Sequence, residues 1–324
     1  MVLIKDNEIL GRKDKIIKDN GNETIKQMND LMRKAGEFYS LYTYFLEESL
    51  YALEDFFEDI EKEFPNLSAC PEVYNLEGGF SISSKKSLDN EEIEELEEFF
   101  NSKYDSQSFS SDYYGSEYTY YFRYHGELFD KIFSQYSVEL DDFLNNKYIH
   151  NNEDFKYNGP FLIKNNEVTG FKNGELIRDN GKEQIKKINK IMTKAGEFFS
   201  LYLNYLNKAS CLFESFEEEL KDKFPIVARI VTDFYDLEGR FDLVARKKLT
   251  DDELEEIGKF LNSKYASVGS SGFNSYNFIY HDSIFYYLFD YFAFEFYDFL
   301  RDKYGLSDWD HYTLHYTNHI LDEL

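Results

Sequence analysis

The stretch KAGEFYSLY at residues 34–42 returns as KAGEFFSLY at residues 194–202, with one hydroxyl group removed. Other parts of the chain also match themselves at a spacing of 160 or 161 residues. These matches include YNLEGGF at 74–80 with YDLEGRF at 235–241, and NSKY at 101–104 with NSKY at 262–265. The period is far longer than the roughly 20 to 50 residues of solenoid repeats. Each copy is therefore long enough to hold a core of its own.

This repeat predicts two tandem domains of one fold. We place the first copy at residues 1–158 and the second at residues 159–324, the second with an extra C-terminal helix at about 307–324. The boundary is expected in IHNNEDFKYNGP, residues 149–160. That segment is polar, lacks an apolar period and ends in Asn-Gly-Pro, which is typical of a linker.

A long helix is predicted near the start of each copy. In the first copy, apolar residues recur in steps of three and four from Ile25 to Phe64, which is the period of an amphipathic helix. Gly36 and Gly196 interrupt this pattern inside the KAGEF motif. Glycine weakens a helix interior, so these positions predict either a kink or the close approach of a neighbouring element. We interpret the motif as a packing site.

A small antiparallel sheet and further helices follow in each copy. Apolar residues alternate at 74–82 and 235–243, as in strands. A second helix is expected to begin at Asp89 and at Thr250, where TDDE has the form of a capping box. One more strand precedes an aromatic-rich C-terminal helix, and the polar stretch 106–118 ahead of that strand is interpreted as a loop. The predicted class is α+β, made twice.

The chain is strongly acidic, with a formal net charge of −26. Residues 1–150 carry 32 Asp and Glu against 15 Lys and Arg, a balance of −17, whereas residues 151–324 have a balance of −9. A field of this sign repels phosphates, so direct binding to nucleic acid or to an anionic membrane surface is disfavoured. The same field attracts proteins with basic surfaces. Acidity also keeps an aromatic-rich chain in solution, which is the simpler explanation.

Cysteine usage and hydropathy indicate a reducing compartment. Cys70 and Cys211 do not occupy matching positions in the two copies, so a repeated disulfide is not expected. The N-terminus lacks the apolar region of a secretion signal, and no run reaches the ~18 apolar residues of a membrane span. We therefore expect a cytoplasmic protein.

Motifs for catalysis or cofactor binding are absent from the sequence, and no cofactor is expected. The histidines provide two candidates. His311 and His315 lie four residues apart, so on a helix they could share Zn²⁺ or Ni²⁺; the alternative is a capping helix with ordinary histidines. His125, His281 and Asp282, with nearby carboxylates, are the candidates for a divergent metal-dependent hydrolase.

The leading hypothesis is an acidic, protein-binding inhibitor of the immunity or anti-defence type. Its carboxylates would take the place of phosphates in a basic, nucleic-acid-handling partner. A metal-dependent hydrolase and a structural or scaffold protein are the alternatives. The residues expected to contact the partner are two groups of acids and a pair of tyrosines: Glu54, Asp55, Glu58, Asp59; Glu91, Glu94, Glu95, Glu98; Tyr113 and Tyr114.

Overall fold

The computed structural model describes residues 1–306, with gaps at 55, 75, 105, 115–116, 153, 236 and 272–275. It is a mixed helix-and-sheet fold, as the α+β class requires. We call residues 1–158 the first half and residues 159–324 the second half. The division into two tandem domains stays a prediction, although a hairpin, a long helix, a sheet and a helical segment follow one another in both halves.

The first half begins with a hairpin and a long helix. A four-stranded sheet follows, with one helix between its second and third strands in the sequence, and a helical segment ends the half. The elements are β1 (Val2–Lys5), β2 (Glu8–Arg12), α1 (Glu23–Glu54), α2 (Phe57–Glu63), β3 (Ser68–Tyr74), β4 (Glu77–Ser84), α3 (Asn90–Tyr104), β5 (Ser106–Tyr114), β6 (Glu117–Tyr124), α4 (Leu128–Asp130), a π-helical turn (Lys131–Gln135), α5 (Ser137–Asn145) and a second π-helical turn (Asn146–His150).

The second half follows the same general order, but one longer helix takes the place of α1 and α2. Its elements are β7 (Phe161–Lys164), β8 (Glu167–Phe171), α6 (Glu183–Lys223), β9 (Val227–Tyr235), β10 (Glu238–Ala245), α7 (Asp251–Tyr265), β11 (Ser267–Ser271), β12 (Tyr276–Tyr280), a 3₁₀ turn (His281–Ser283), α8 (Ile284–Tyr286), a π-helical turn (Tyr287–Tyr291), a 3₁₀ turn (Ala293–Phe296) and α9 (Tyr297–Lys303).

Within the described ranges, each half contains one four-stranded antiparallel sheet. The strand orders are β3-β4-β6-β5 and β9-β10-β12-β11. The prediction of a loop at 106–118 is wrong, because the described residues of this stretch form β5 and the start of β6. An edge strand has one unpaired side, so a polar sequence without an apolar period suits it. The hairpins β1–β2 and β7–β8 were not predicted either.

The two long helices pack against each other at the repeated motif. Their ring contacts run in opposite directions along the two helices, which makes the pair antiparallel: Phe38 lies 6.2 Å from Phe198, Tyr39 5.1 Å from Tyr202 and Tyr42 4.7 Å from Phe199. Helix α1 ends at Glu54, whereas α6 continues to Lys223. At about 1.5 Å per residue, α6 is roughly 60 Å long.

Neither motif glycine interrupts its helix; each admits an aromatic ring from the other half. A Cβ added at Gly36 would lie within 3.0 Å of the Phe289 ring, and one added at Gly196 would lie within 3.0 Å of the Phe133 ring. The C-terminal segment of each half thus packs on the long helix of the other half. The buried apolar residues form one continuous cluster. From the sequence, a separate core was expected in each copy.

Candidate protein-binding surface

Helix α3 begins with a reciprocal pair of hydrogen bonds. The Glu92 backbone N–H donates to Asp89 Oδ1 at 3.0 Å, and the Asp89 backbone N–H donates to Glu92 Oε2 at 3.0 Å. Glu91 and Glu92 lie in the first turn, where the helix dipole favours negative charge. These hydrogen bonds and charges therefore stabilise the N-terminus of α3.

One face of α3 is buried against the sheet, and the opposite face carries glutamates. Leu96, Phe100 and Tyr104 are buried, and the Phe100 ring stacks on Phe122 with centroids 4.3 Å apart. The predicted contact residues all lie on exposed positions of the same helix: Glu91, Glu94, Glu95 and Glu98. These four carboxylates extend over about 10 Å of helix. We call them the acidic face.

The acidic face is not neutralised within the described part of the chain. Lys86 Nζ lies 2.6 Å from Glu92 Oε1, but no lysine or arginine of the described residues lies within 4.0 Å of the four acidic-face carboxylates. The corresponding helix α7 differs, because Lys259 stands where α3 has Glu98 and its Nζ lies 2.5 Å from Glu255 Oε1. The acidic face is therefore a feature of the first half.

The remaining predicted contact residues are distributed differently. Glu54 is exposed at the end of α1, and Asp59 is exposed, with its Oδ2 3.3 Å from Lys103 Nζ at the end of α3. Asp55 lies outside the described residues. Glu58 lies in α2, and Tyr113 and Tyr114 lie in β5, so the tyrosines belong to the sheet edge instead of a loop.

His125 and His281 lie in two equivalent buried networks, which the sequence did not predict. Asn29 Oδ1 accepts a hydrogen bond from the Tyr280 hydroxyl at 2.6 Å and lies 3.0 Å from His281 Nε2. Asn189 has the same relation to Tyr124 and His125, with 2.8 Å to His125 Nε2. Each asparagine also donates to a backbone carbonyl, that of Lys18 or Arg178.

These networks join the two halves, because each Tyr-His pair and its asparagine come from different halves. Burial lowers the pKa of His281 to about 3, and nearby Arg33 and Lys15 act in the same direction. A neutral imidazole with an occupied Nε2 fits a structural role. The signal in the sequence was the repeat itself, since Tyr-His and the asparagine near the start of each long helix both recur.

The motif glutamates form the second pair of buried links. Glu197 accepts hydrogen bonds from Lys147 Nζ at 2.9 Å and from the Tyr148 hydroxyl at 2.5 Å. Burial by itself would raise the pKa of Glu197, but the ammonium groups of Lys147 and Lys194 outweigh it and lower the pKa below its usual range. Glu37 is held in the same way by Lys303 Nζ at 2.9 Å and by the Tyr304 hydroxyl at 2.5 Å.

The buried polar chemistry therefore serves the fold. Among the described residues, no group of three or more His, Cys, Asp and Glu side chains lies close enough to hold a metal ion. Asp282 Oδ2 lies 2.7 Å from Lys15 Nζ, so it takes part in an ion pair between the halves. His311 and His315 lie outside the described residues.

No helix within the described ranges has the length and apolar character needed to cross a bilayer. Comparison with known proteins assigns no family, since no family model, curated protein or solved structure matches the chain.

Proposed function

We propose that the chain acts by occupying a basic, nucleic-acid-handling partner protein, in the manner of immunity and anti-defence inhibitors. The observation that carries this proposal is the acidic face of α3. Its carboxylates are exposed on one rigid helix, and no cation of the described residues pairs with them. Carboxylates held in this way can take the place of phosphates in a groove lined by lysine and arginine.

The location of the other charges supports the same proposal. Glu37 and Glu197 are buried and are paired by lysines, so they stabilise the fold and are not available to a partner. Among the acidic residues whose side chains the structure describes, the buried ones are Glu37, Glu48 and Glu197. Most of the negative charge in this part of a chain of net charge −26 is therefore at least partly exposed. A protein with this field is attracted to basic surfaces and repelled by nucleic acid.

We also propose that the two halves are tandem copies of one domain that have acquired different surfaces. The repeat at 160 or 161 residues and the matching strand orders support this proposal. Since each half contributes its C-terminal segment to the other, the pair resembles a dimer joined into one chain. Joining the copies allows one surface to change while the other is kept.

The decisive experiment compares matched charge reversals on the two corresponding helices. One variant carries Glu91→Lys, Glu94→Lys and Glu95→Lys on α3, and the other carries the equivalent Asp252→Lys, Glu255→Lys and Glu256→Lys on α7. Both change the net charge equally. Each variant and the unchanged chain are used as bait in native-host extract, and the captured proteins are identified by mass spectrometry. The captured protein is then purified for binding measurements.

We expect the partner to bind nucleic acid, to be released by rising salt and to be displaced by a short DNA duplex. The α3 variant should lose at least tenfold more affinity than the α7 variant, because the face of α7 already carries Lys259, which pairs with Glu255, where α3 has Glu98. Two results would contradict the proposal: binding that is unaffected by salt and by the duplex, or equal losses of affinity for the two variants.

A further inference from the structure

The C-terminal segment of the second half carries a group of exposed aromatic side chains. Tyr287, Tyr291 and Phe294 are 46%, 58% and 42% exposed, respectively. They lie in the π-helical turn Tyr287–Tyr291 and the adjoining 3₁₀ turn. Together with the partly buried Phe292, we call these residues the aromatic patch. Exposure of several large rings within one short stretch is a common mark of an interaction site.

Three rings of the patch form a contiguous surface. The Tyr287 and Tyr291 rings are stacked, with an interplanar angle of 3° and centroids 5.4 Å apart. Phe292 packs against both of them, at 5.1 Å from Tyr287 and 5.0 Å from Tyr291. Rings packed against one another in this way have little freedom to rearrange.

The chain itself shows which chemical group this surface accepts. The Arg12 guanidinium carbon lies 4.0 Å from the Phe292 centroid and 5.6 Å from the Tyr287 centroid. Arg12 comes from the β2 strand of the first half, so the contact is made across the two halves. A planar cation is attracted to the face of an aromatic ring, and arginine stacks there better than lysine.

The fold does not require aromatic side chains at these positions. At a spacing of 156 residues, which aligns Phe133 with Phe289, the first half has Lys131, Gln135 and Val138 in place of Tyr287, Tyr291 and Phe294. For the first half's C-terminal segment, the cation lies on the segment and the ring lies on a hairpin strand, the opposite of the Arg12 contact: Lys131 Nζ is 5.5 Å from the Phe171 ring. Because the same turn forms with polar residues, packing alone does not explain the exposed rings.

Charge selects among the possible occupants of the patch. Asp290 lies within the turn, and Glu295 and Asp298 follow it on exposed positions. A second copy of a chain with net charge −26 would bring like charges together. A basic segment would instead meet both carboxylates and ring faces.

We propose that the aromatic patch is a docking surface for an arginine-bearing segment of a partner protein. This goes beyond the proposed function, because it assigns a second surface and a preference for arginine that the acidic face does not require. An arginine side chain stacks on the Tyr287 and Tyr291 rings, and the carboxylates of Asp290 and Glu295 accept its hydrogen bonds, since Asp298 is paired with Arg301.

Fluorescence anisotropy with two labelled peptides tests this proposal on the full chain. One peptide alternates arginine and glycine, and the other has lysine in place of arginine. The variant Tyr291→Gln with Phe294→Val introduces the side chains found at the equivalent positions of the first half. The matched gain variant, Gln135→Tyr with Val138→Phe, places rings on the first half. Circular dichroism establishes that both variants are folded.

The unchanged chain should bind the arginine peptide at least threefold more tightly than the lysine peptide. The patch variant should weaken arginine-peptide binding about threefold to tenfold and remove the preference. The gain variant should strengthen arginine-peptide binding. The α3 charge reversals should weaken both peptides equally and keep the preference, so failure of the acidic face is distinguishable from failure of the patch.

Equal affinity for the two peptides, unchanged in the patch variant, would overturn the assignment. It would mean that the peptides bind by general charge attraction. Sedimentation of the unchanged chain and the patch variant provides the second measurement. If the unchanged chain forms a dimer that the patch variant does not, the occupant is another copy of this chain, which also overturns the proposal.

Discussion

The two halves agree in their buried contacts and differ in their surfaces. Inside, Glu37 and Glu197 each bind a lysine and a tyrosine from the other half. Outside, α3 carries six glutamates and one lysine, whereas α7 carries five acids and two lysines. Tyr287 and Tyr291 of the aromatic patch correspond to the polar residues Lys131 and Gln135 in the first half. The interior contacts join the two halves, so a substitution of one partner leaves the other partner buried and unpaired. Surface positions have no such constraint and can differ between the halves.

The buried clusters are not identical, and their difference can be measured. Glu197 contacts two ammonium groups, those of Lys147 and Lys194, whose side chains are 7% and 12% exposed. Lys34, the counterpart of Lys194, instead lies over the Tyr205 ring at 5.6 Å. Glu37 therefore has one close cation, Lys303.

The largest expected effect is the loss of Glu197. The substitution Glu197→Gln leaves two buried ammonium groups without their anion and should lower the free energy of unfolding by about 3 to 5 kcal/mol. Glu37→Gln should cost less, because a single cation is left unpaired. Urea unfolding followed by circular dichroism measures both values.

Acid titration sharpens this comparison. Because the folded-state pKa of Glu197 is lowered, its contribution is present above its ordinary value of 4.5 and is lost as pH falls through the folded pKa. The difference between the unchanged chain and Glu197→Gln should therefore shrink with acidification. Equal losses for Glu37→Gln and Glu197→Gln at neutral pH would show that Lys194 adds nothing.

The next effect concerns the motif glycines, where the halves should behave alike. Gly36→Ala and Gly196→Ala should each lower the free energy of unfolding by about 1 to 3 kcal/mol, because the new methyl group overlaps a buried phenylalanine ring. Alanine alone would favour the helix by up to about 1 kcal/mol. Thermal and urea unfolding of the two variants provide the measurement.

Gly258 in α7 supplies the control for these glycines. A Cβ there would lie 3.6 Å from the Phe278 ring, which is an ordinary contact. Gly258→Ala should therefore be neutral or stabilising. A stabilising effect of alanine at Gly36 or Gly196 would mean that Phe289 or Phe133 does not pack there in solution.

An effect of similar size to that of the glycines is expected at Glu48 in α1, and it depends on pH. Burial raises the pKa of Glu48 from 4.5 to about 7, although Tyr44 and Lys187 act in the opposite direction. Between these values the unfolded chain loses the proton first, so stability falls as pH rises from about 4.5 to above 7. Glu48→Gln should remove that fall and be about 2 kcal/mol more stable than the unchanged chain at pH 8.

The second half has Lys208 at the position of Glu48. Its Nζ lies 3.0 Å from Asp141 Oδ2 in a partly exposed ion pair. Lys208→Gln should change stability by less than about 1 kcal/mol at neutral pH. Urea unfolding at a series of pH values compares the two variants, and a pH-independent difference for Glu48→Gln would exclude a raised pKa.

Sequence alone determined the features that depend on neighbours along the chain. The helical stripe after Gly21, the α+β class and the exposed glutamates of α3 follow from local periodicity. The capping box at Thr250 is confirmed, since its side chain and that of Glu253 make both hydrogen bonds. The predicted packing role of Gly36 and Gly196 also agrees with the structure. The glycines make their contacts across the two halves, but the helices, the cap and the exposed glutamates depend on residues that are close together in the sequence.

Only the tertiary structure shows which half supplies each partner of a buried contact. The sequence showed that KAGEF, Tyr-His and Lys-Tyr recur, but it could not show that Glu37 binds Lys303 and Tyr304, or that Asn29 binds Tyr280 and His281. A repeated motif fits its own copy and the other copy equally well. The choice depends on the antiparallel packing of α1 with α6, which brings each C-terminal segment to the opposite helix.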